Sequence, residues 1–242
     1  QTANTSALTD PAFLTGAQDT ANFQVYAVRD KQYSKNVYFK LTSSVDPHPF
    51  SALTSSTFMG VYDDENWNLS VRIKPSIYPL ANLVSGATDY DYDVIFSGFN
   101  NKLGTVQDSF AVSSSVTKTV GQNLLRAAKR VYAGARRTNI TGTMVYKSDV
   151  LLAGSKYWTK YLDDASLKQH MFDRDNAGIS GSYRHISPLD AVSTKSYNLN
   201  TLAVDWGFEN ITSSDGTGNF YTTDLSSGSA EFRGAFGWVS EI

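Results

Sequence analysis

The stretch Trp67-Asn-Leu-Ser-Val-Arg-Ile-Lys-Pro75 constrains this chain more than any other. Apolar Trp67, Leu69, Val71 and Ile73 alternate without a break with polar Asn68, Ser70, Arg72 and Lys74. A period of two sends successive side chains to opposite faces of an extended strand, whereas a helix would scatter the same residues around its axis. One face is therefore expected to be buried and the other solvated, which is the pattern of an antiparallel sheet packed on one side. Pro75 has no N–H to give to a ladder and closes the run.

Shorter strand-like runs recur along the chain. They are expected over residues 23–28, 36–41, 58–62, 93–99, 108–120, 131–135, 143–150, 201–208, 218–225 and 232–239. Pro47 and Pro49, the turn at residues 63–66, the loop Asn100-Asn-Lys-Leu-Gly104 and the hairpin signal Ser213-Ser-Asp-Gly216 punctuate them. One helix is expected, at residues 163–171. Asp163 or Asp164 can cap it, Leu162, Leu167 and Met171 line one face, and Lys168 and His170 lie near the negative end of its dipole. Residues 123–130 suit either a short helix or a loop. Many short strands at a spacing of about 8–12 residues indicate an all-β sandwich or jelly roll of antiparallel sheets. The expected organisation is an N-terminal arm (1–22), a β core (23–175) and a C-terminal β extension (176–242) packed on the core or on a neighbouring subunit.

Composition agrees and removes several function classes. A chain of 242 residues with 41% hydrophobic and 18% charged residues can build a real core, and its size suits one large β domain with appendages. Nineteen Asp stand against four Glu (Glu65, Glu209, Glu231 and Glu241). Asp favours turns and Glu favours helix interiors, so the skew fits a loop-rich β protein. The net charge of −2 gives no global attraction to nucleic acid. The absence of cysteine excludes disulfides, thiolate metal sites and a cysteine nucleophile, and fits a product of a reducing cytoplasm, virion proteins assembled there included. No apolar run approaches the roughly 20 residues needed to cross a bilayer, so no membrane partner is expected. The chain begins at Gln1 without an initiator Met or a charged-then-apolar leader, and is expected to be a processed product or an excerpt of something longer.

Residues 131–173 read as strand, glycine turn, strand and short helix. Gly134, Ala135, Asn139, Gly142, Tyr161, Leu162, Leu167 and His170 occupy positions that resemble the closing segment of laminin-G-like modules of the concanavalin A-like jelly-roll superfamily. The stretches FMGVYDDENWNLSVRIKP, VYAGARRTNITGTMVYKSDVLLAGSKYWTKYL and LAVDWGFENITSSDGTGNFYTTDLSSGSA are similar to modules embedded in structural proteins of tailed bacteriophages. The resemblance implies a non-enzymatic virion protein, of the capsid-decorating, tail or fibre-associated kind. Its partners would be other virion proteins or copies of itself, with cell-surface glycan as a further possibility. A lectin-like adhesin on the same scaffold is the alternative, and a polysaccharide-degrading hydrolase the third reading.

Glycoside hydrolysis needs two carboxylates about 5–10 Å apart. The jelly-roll hydrolases align theirs as Glu-x-Asp-x-(x)-Glu on one strand, a motif this chain lacks. Asp89-Tyr-Asp-Tyr-Asp93 is the densest acidic group. If it lies on a strand, Asp89, Asp91 and Asp93 share one face and are the candidate ligands for Ca2+, a hard cation that takes six to eight oxygens, followed by Asp63 and Asp64. A charged edge that discourages sheet-to-sheet pairing explains the same residues. Arg126, Lys129, Arg130, Arg136 and Arg137 form a short basic group without interleaved aromatic platforms, and read as a solvated face rather than a nucleic-acid site. His48, His170 and His185 are isolated and lack metal-ligand spacing, and no Gly-x-Ser-x-Gly elbow is present. Trp67 and Trp158 are expected in the core.

Overall fold

A computed structural model of the chain describes residues 21–79, 89–126, 131–137, 144–145, 151–173, 201–214 and 220–226. The chain is mostly β, with every strand pair among the described residues antiparallel, and divides into two compact units, residues 1–148 and 149–242.

In the first unit, β1 (Gln24–Arg29), β2 (Val37–Thr42) and β3 (Leu53–Phe58) form one sheet in that order. A second sheet runs β4 (Asn66–Pro75), β5 (Tyr92–Lys102) and β6 (Thr105–Val116). The sheets meet through one apolar core. Val37, Phe39 and Leu41 from alternate positions of β2 face Val94 and Phe96 of β5, with Trp67, Leu69, Val71 and Ile73 of β4 packed against them. The expected inward face of β4 is thus the one that meets the core. Phe39 touches Trp67 and Phe110 at ring-centroid distances of 4.7 and 5.5 Å, and Phe58 reaches the same two rings at 4.7 and 6.0 Å. Gly98 lets Phe110 and Leu69 close over β5, since a Cβ there would lie 2.8 Å from Leu69 Cδ2 and closer still to the Phe110 ring.

The other face of β4 departs from expectation. Arg72 is only 8% exposed, and the neighbouring β5 is buried on both faces over residues 97–100. On that face the Ser97 hydroxyl meets Arg72 Nη2 at 3.4 Å and Ser70 Oγ at 2.8 Å.

Other boundaries shift for local reasons. The strand expected over 58–62 lies earlier, at β3, because Gly60 turns the chain at φ +74°. β3 was hidden by its sequence. Its inward position 55 is a serine whose hydroxyl accepts from Phe39 N at 2.9 Å, so polar atoms stand where apolar ones mark a strand. β6 ends at Val116, and helix α1 (Lys118–Arg126) begins where a strand was expected to continue. Gly121 presses that helix onto Tyr92, with no room for a Cβ against the ring, and Leu124 enters the core. Residues 131–135 are irregular and bend at Gly134 rather than forming a strand, and the two-residue strands β7 (Arg136–Arg137) and β8 (Met144–Val145) follow. Residues 21 and 22, the end of the expected arm, are buried. Ala21 bonds Ser44 through both its N–H and its carbonyl, and Ser43 Oγ donates to that carbonyl. Residues 1–20 lie outside the described residues.

The second unit pairs β9 (Gly154–Trp158) with β10 (Leu202–Ser214), and β10 with β11 (Phe220–Asp224). β9 has no strand signal in the sequence, and its neighbour comes from the tail. The boundary between the two units, at residues 148 and 149, precedes β9. Lys156 and Asp205, opposite one another, pair at 2.9 Å. Helix α2 (Asp164–Phe172) is the helix foreseen, and Asp163 caps it by accepting from Ser166 N at 2.7 Å. The expected strand over 232–239 and the turn at 215–216 lie outside the described residues.

Candidate functional site

The acidic candidates do not converge. β5 starts at Tyr92, so only Asp93 is on a strand, where it sits across from Lys74 and Ser115. Asp89 and Asp91 are exposed in the segment before it, and Asp91 accepts from Ser76 N through its backbone carbonyl. Asp63 is salt-bridged to Lys35. Among the described residues no three His, Asp or Glu side chains gather to hold a metal ion. Of the basic group, Arg126 is exposed at the end of α1, while Lys129 and Arg130 lie outside the described residues. His48 Nδ1 is 2.9 Å from the Val45 carbonyl, and His185 is outside the described residues.

A different site is built by topology. β1, β3 and β5 run toward one end of the two sheets, and β2, β4 and β6 return from it. The loop 30–36, the loop 59–65 and the hairpin turn 103–104 therefore share that end. The first two loops are tied to each other. Gly60 N donates to Asn36 Oδ1 at 3.2 Å, and Tyr62 N donates to the Lys35 carbonyl at 3.4 Å. Lys35 pairs with Asp63, and the Arg29 guanidinium lies 3.4 Å from the centroid of the Tyr62 ring. Within the first loop Asp30 N donates to the Asn36 carbonyl, and Arg29 Nη1 to the Ser34 carbonyl. The Ser34 side chain bonds the Asp30 carboxyl and holds its pKa below the ordinary value, with smaller help from Asn36 and Lys31. Glu65 accepts from Trp67 Nε1 at 3.0 Å, which joins the second loop to the core.

On these braced loops stand three large apolar side chains. Tyr33 is 87% exposed, Met59 81% and Leu103 99%. Tyr33 and Leu103 also occupy the left-handed backbone region, at φ 61° and 55°, and Asp64 in the same loop cluster does so at 59°. These are all the non-glycine residues with positive φ among the described residues. A bulky side chain there costs roughly 1–2 kcal/mol, because Cβ crowds the following carbonyl. Such strain gathers at functional sites.

The hairpin shows the cost most clearly. Lys102 pairs with Thr105, leaving the two-residue turn Leu103–Gly104 with positive φ at both positions. That backbone favours Asn-Gly or Gly-Gly. Leu103→Asn is accordingly expected to stabilise the first unit by about 1 kcal/mol, a rise in melting temperature of about 3 °C by differential scanning fluorimetry. A lower melting temperature would show that Leu103 makes folding contacts that its exposure does not reveal.

Sequence reasoning marked residues 100–104 as a hairpin loop but did not single out Tyr33, Met59 or Leu103. The available signal was Leu103 before Gly104, a leucine where turn chemistry asks for asparagine. In the second unit, His170 stacks on Trp158 at 4.7 Å with an interplanar angle of 13°, and is 7% exposed. Burial, with Lys156 nearby, holds the imidazole pKa down to about 4. The residue expected to answer the helix dipole is thus a neutral ring in the interior. Trp158 is half-buried rather than fully enclosed. No helix among the described residues is long and apolar enough to cross a membrane. No family model, no curated protein and no solved structure matches this chain.

Proposed function

We propose that the chain is a non-enzymatic structural component of a tailed-bacteriophage particle, located in the virion as a decorating, tail or fibre-associated protein. It acts through contacts with other virion proteins or copies of itself. The observation that carries this reading is the loop end of the first unit, where bulky apolar side chains stand in solvent on strained, braced turns. Such an arrangement lowers the stability of the free chain and is offset only where those side chains meet something else. The virion setting rests on the sequence resemblance to phage structural modules. The concanavalin A-like jelly roll rests on that resemblance as well. The face-to-face sheets of the first unit support a sandwich, while the described sheets each join strands consecutive in sequence. A carbohydrate-binding adhesin is the second reading, favoured by the exposed Tyr33 ring, an aromatic face of the kind that stacks on sugars.

Immunogold labelling separates the readings. An antibody against the chain is expected to decorate intact phage particles, and the purified chain is expected to release no reducing sugar from polysaccharides. Absence of label, together with saturable and chelator-sensitive binding on a glycan array, would establish the adhesin instead. Reducing-sugar release that survives replacement of Asp89, Asp91 and Asp93 but not of a glutamate would establish a hydrolase.

A further inference from the structure

We infer that Tyr33, Met59 and Leu103 are knobs that enter apolar recesses on a different protein. The inference rests on the reading of the chain as a contact module and names the surface and the chemistry of its partner. Three features of this end select the occupant.

The first is shape. Each side chain tops a turn, and their exposures of 81–99% show that they project rather than form a flat patch. Projections need recesses opposite. A second copy applied by a two-fold axis would bring the same projecting patch to both sides of the contact, because an isologous contact uses one patch on both subunits.

The second is charge. Residues 29–36, 59–65 and 102–105 carry four cations, Arg29, Lys31, Lys35 and Lys102, against four carboxylates, Asp30, Asp63, Asp64 and Glu65. An anionic lipid surface or a nucleic acid is drawn to an excess of positive charge, which this end lacks. A mixed polar rim around apolar anchors is the arrangement of a protein–protein interface. The leucine tip also offers no donor or acceptor to sugar hydroxyls, and the methionine thioether only a weak acceptor.

The third is rigidity. The ties between Lys35, Asn36, Gly60, Tyr62 and Asp63 fix two of the three loops before any partner arrives. The two-residue turn fixes the third. Little ordering remains to oppose binding, which is how preorganised surfaces gain affinity. Tyrosine and methionine are enriched in the cores of such interfaces.

The test uses the full chain in the native assembly that contains it. A benzophenone amino acid is placed at position 103, and as a control at position 151, where Leu151 of the second unit is equally exposed. Irradiation is expected to give adducts from position 103 to one other polypeptide, mapped by mass spectrometry to apolar residues. Leu103→Asn and Tyr33→Asn are expected to cut incorporation into the assembly at least tenfold, the effect of losing an interface anchor worth about 1.4 kcal/mol. Leu103→Met is expected to retain incorporation. The Asn variants must keep or raise the melting temperature, so lost incorporation cannot be traced to misfolding. Adducts to another copy of this chain would overturn the inference, as would flotation of the chain with vesicles of phosphatidylcholine and phosphatidylglycerol. Adducts from position 151 alone would overturn it too, while leaving the contact-module reading intact. Failure of the antibody to label phage particles defeats the virion setting alone, because the crosslinking is performed on whichever native complex holds the chain.

Discussion

Phe39→Ala is expected to lower the stability of the first unit by about 3–5 kcal/mol, the cost of emptying an aromatic site in a close-packed core. Phe39 is 2% exposed and lies at the meeting point of both sheets. From β2 it touches Phe58 on β3, Trp67 on β4 and Phe110 on β6. Its ring lies nearly parallel to that of Phe110, at 13°. Removing it opens a void that no single neighbour can fill, because Trp67 is held by its bond to Glu65 and Phe110 is seated over Gly98. Small domains have a net stability of about 5–15 kcal/mol, so the variant should unfold at a much lower urea concentration. The neighbouring Tyr38, on the other side of β2, is half-buried, and its replacement by Ala should cost clearly less. A loss under about 1 kcal/mol for Phe39→Ala would mean that the two sheets do not share this core.

The second large effect concerns acid. His170 has a pKa of about 4 in the folded chain against 6.5 for an ordinary histidine, because burial disfavours the imidazolium and Lys156 repels it. The folded value lies below the unfolded one, so between pH 6.5 and 4 the unfolded chain binds the extra proton. Stability is therefore complete above pH 6.5, declines as pH falls toward 4, and levels off once the folded form also accepts the proton. The loss contributed by this residue between pH 7.5 and pH 4 is about 3 kcal/mol. Urea unfolding followed by tryptophan emission should show it in the second unit, where Trp158 lies against the imidazole. His170→Phe keeps a ring against Trp158 and removes the titrating group. The difference between wild type and this variant should grow steadily more unfavourable to wild type below pH 6.5. Parallel pH profiles for the two proteins would show that His170 is not held neutral by the fold.

The strands that could be read in the sequence were those whose apolar residues point inward at every second position. β4 is the clearest, and its inward face is the one that meets Phe39 and Phe96. The cap of α2 was legible for a comparable reason, since Asp163 bonds a backbone N–H only three residues away. β3 was missed because Ser55, not an apolar residue, occupies an inward position, and β9 because its partner strand is more than forty residues distant. Buried Arg72 meets Ser97 of the adjacent strand, and alternation within β4 carries no information about that neighbour.

The candidate site was harder still. The three carboxylates of the Asp89–Asp93 group were placed on one strand face, yet the strand begins only at Tyr92. The loop end depends on features no local pattern encodes: which loops the strand directions bring to one end, and a leucine and a tyrosine held in the left-handed region. Intrinsic preference argues against those conformations, so only the folded backbone reveals them. A disagreement between local preference and observed backbone is where function is expected to show.

Hydroxyl-radical footprinting of the chain, free and within its native assembly, reads whether the loop end of the first unit is a contact surface. Tyr33 and Met59, readily oxidised in the free chain, are expected to become strongly protected on assembly, while Tyr78, exposed just past the far end of β4, keeps its reactivity. Unchanged oxidation of Tyr33 and Met59 in the assembled state, with protection at Tyr78, would contradict that expectation.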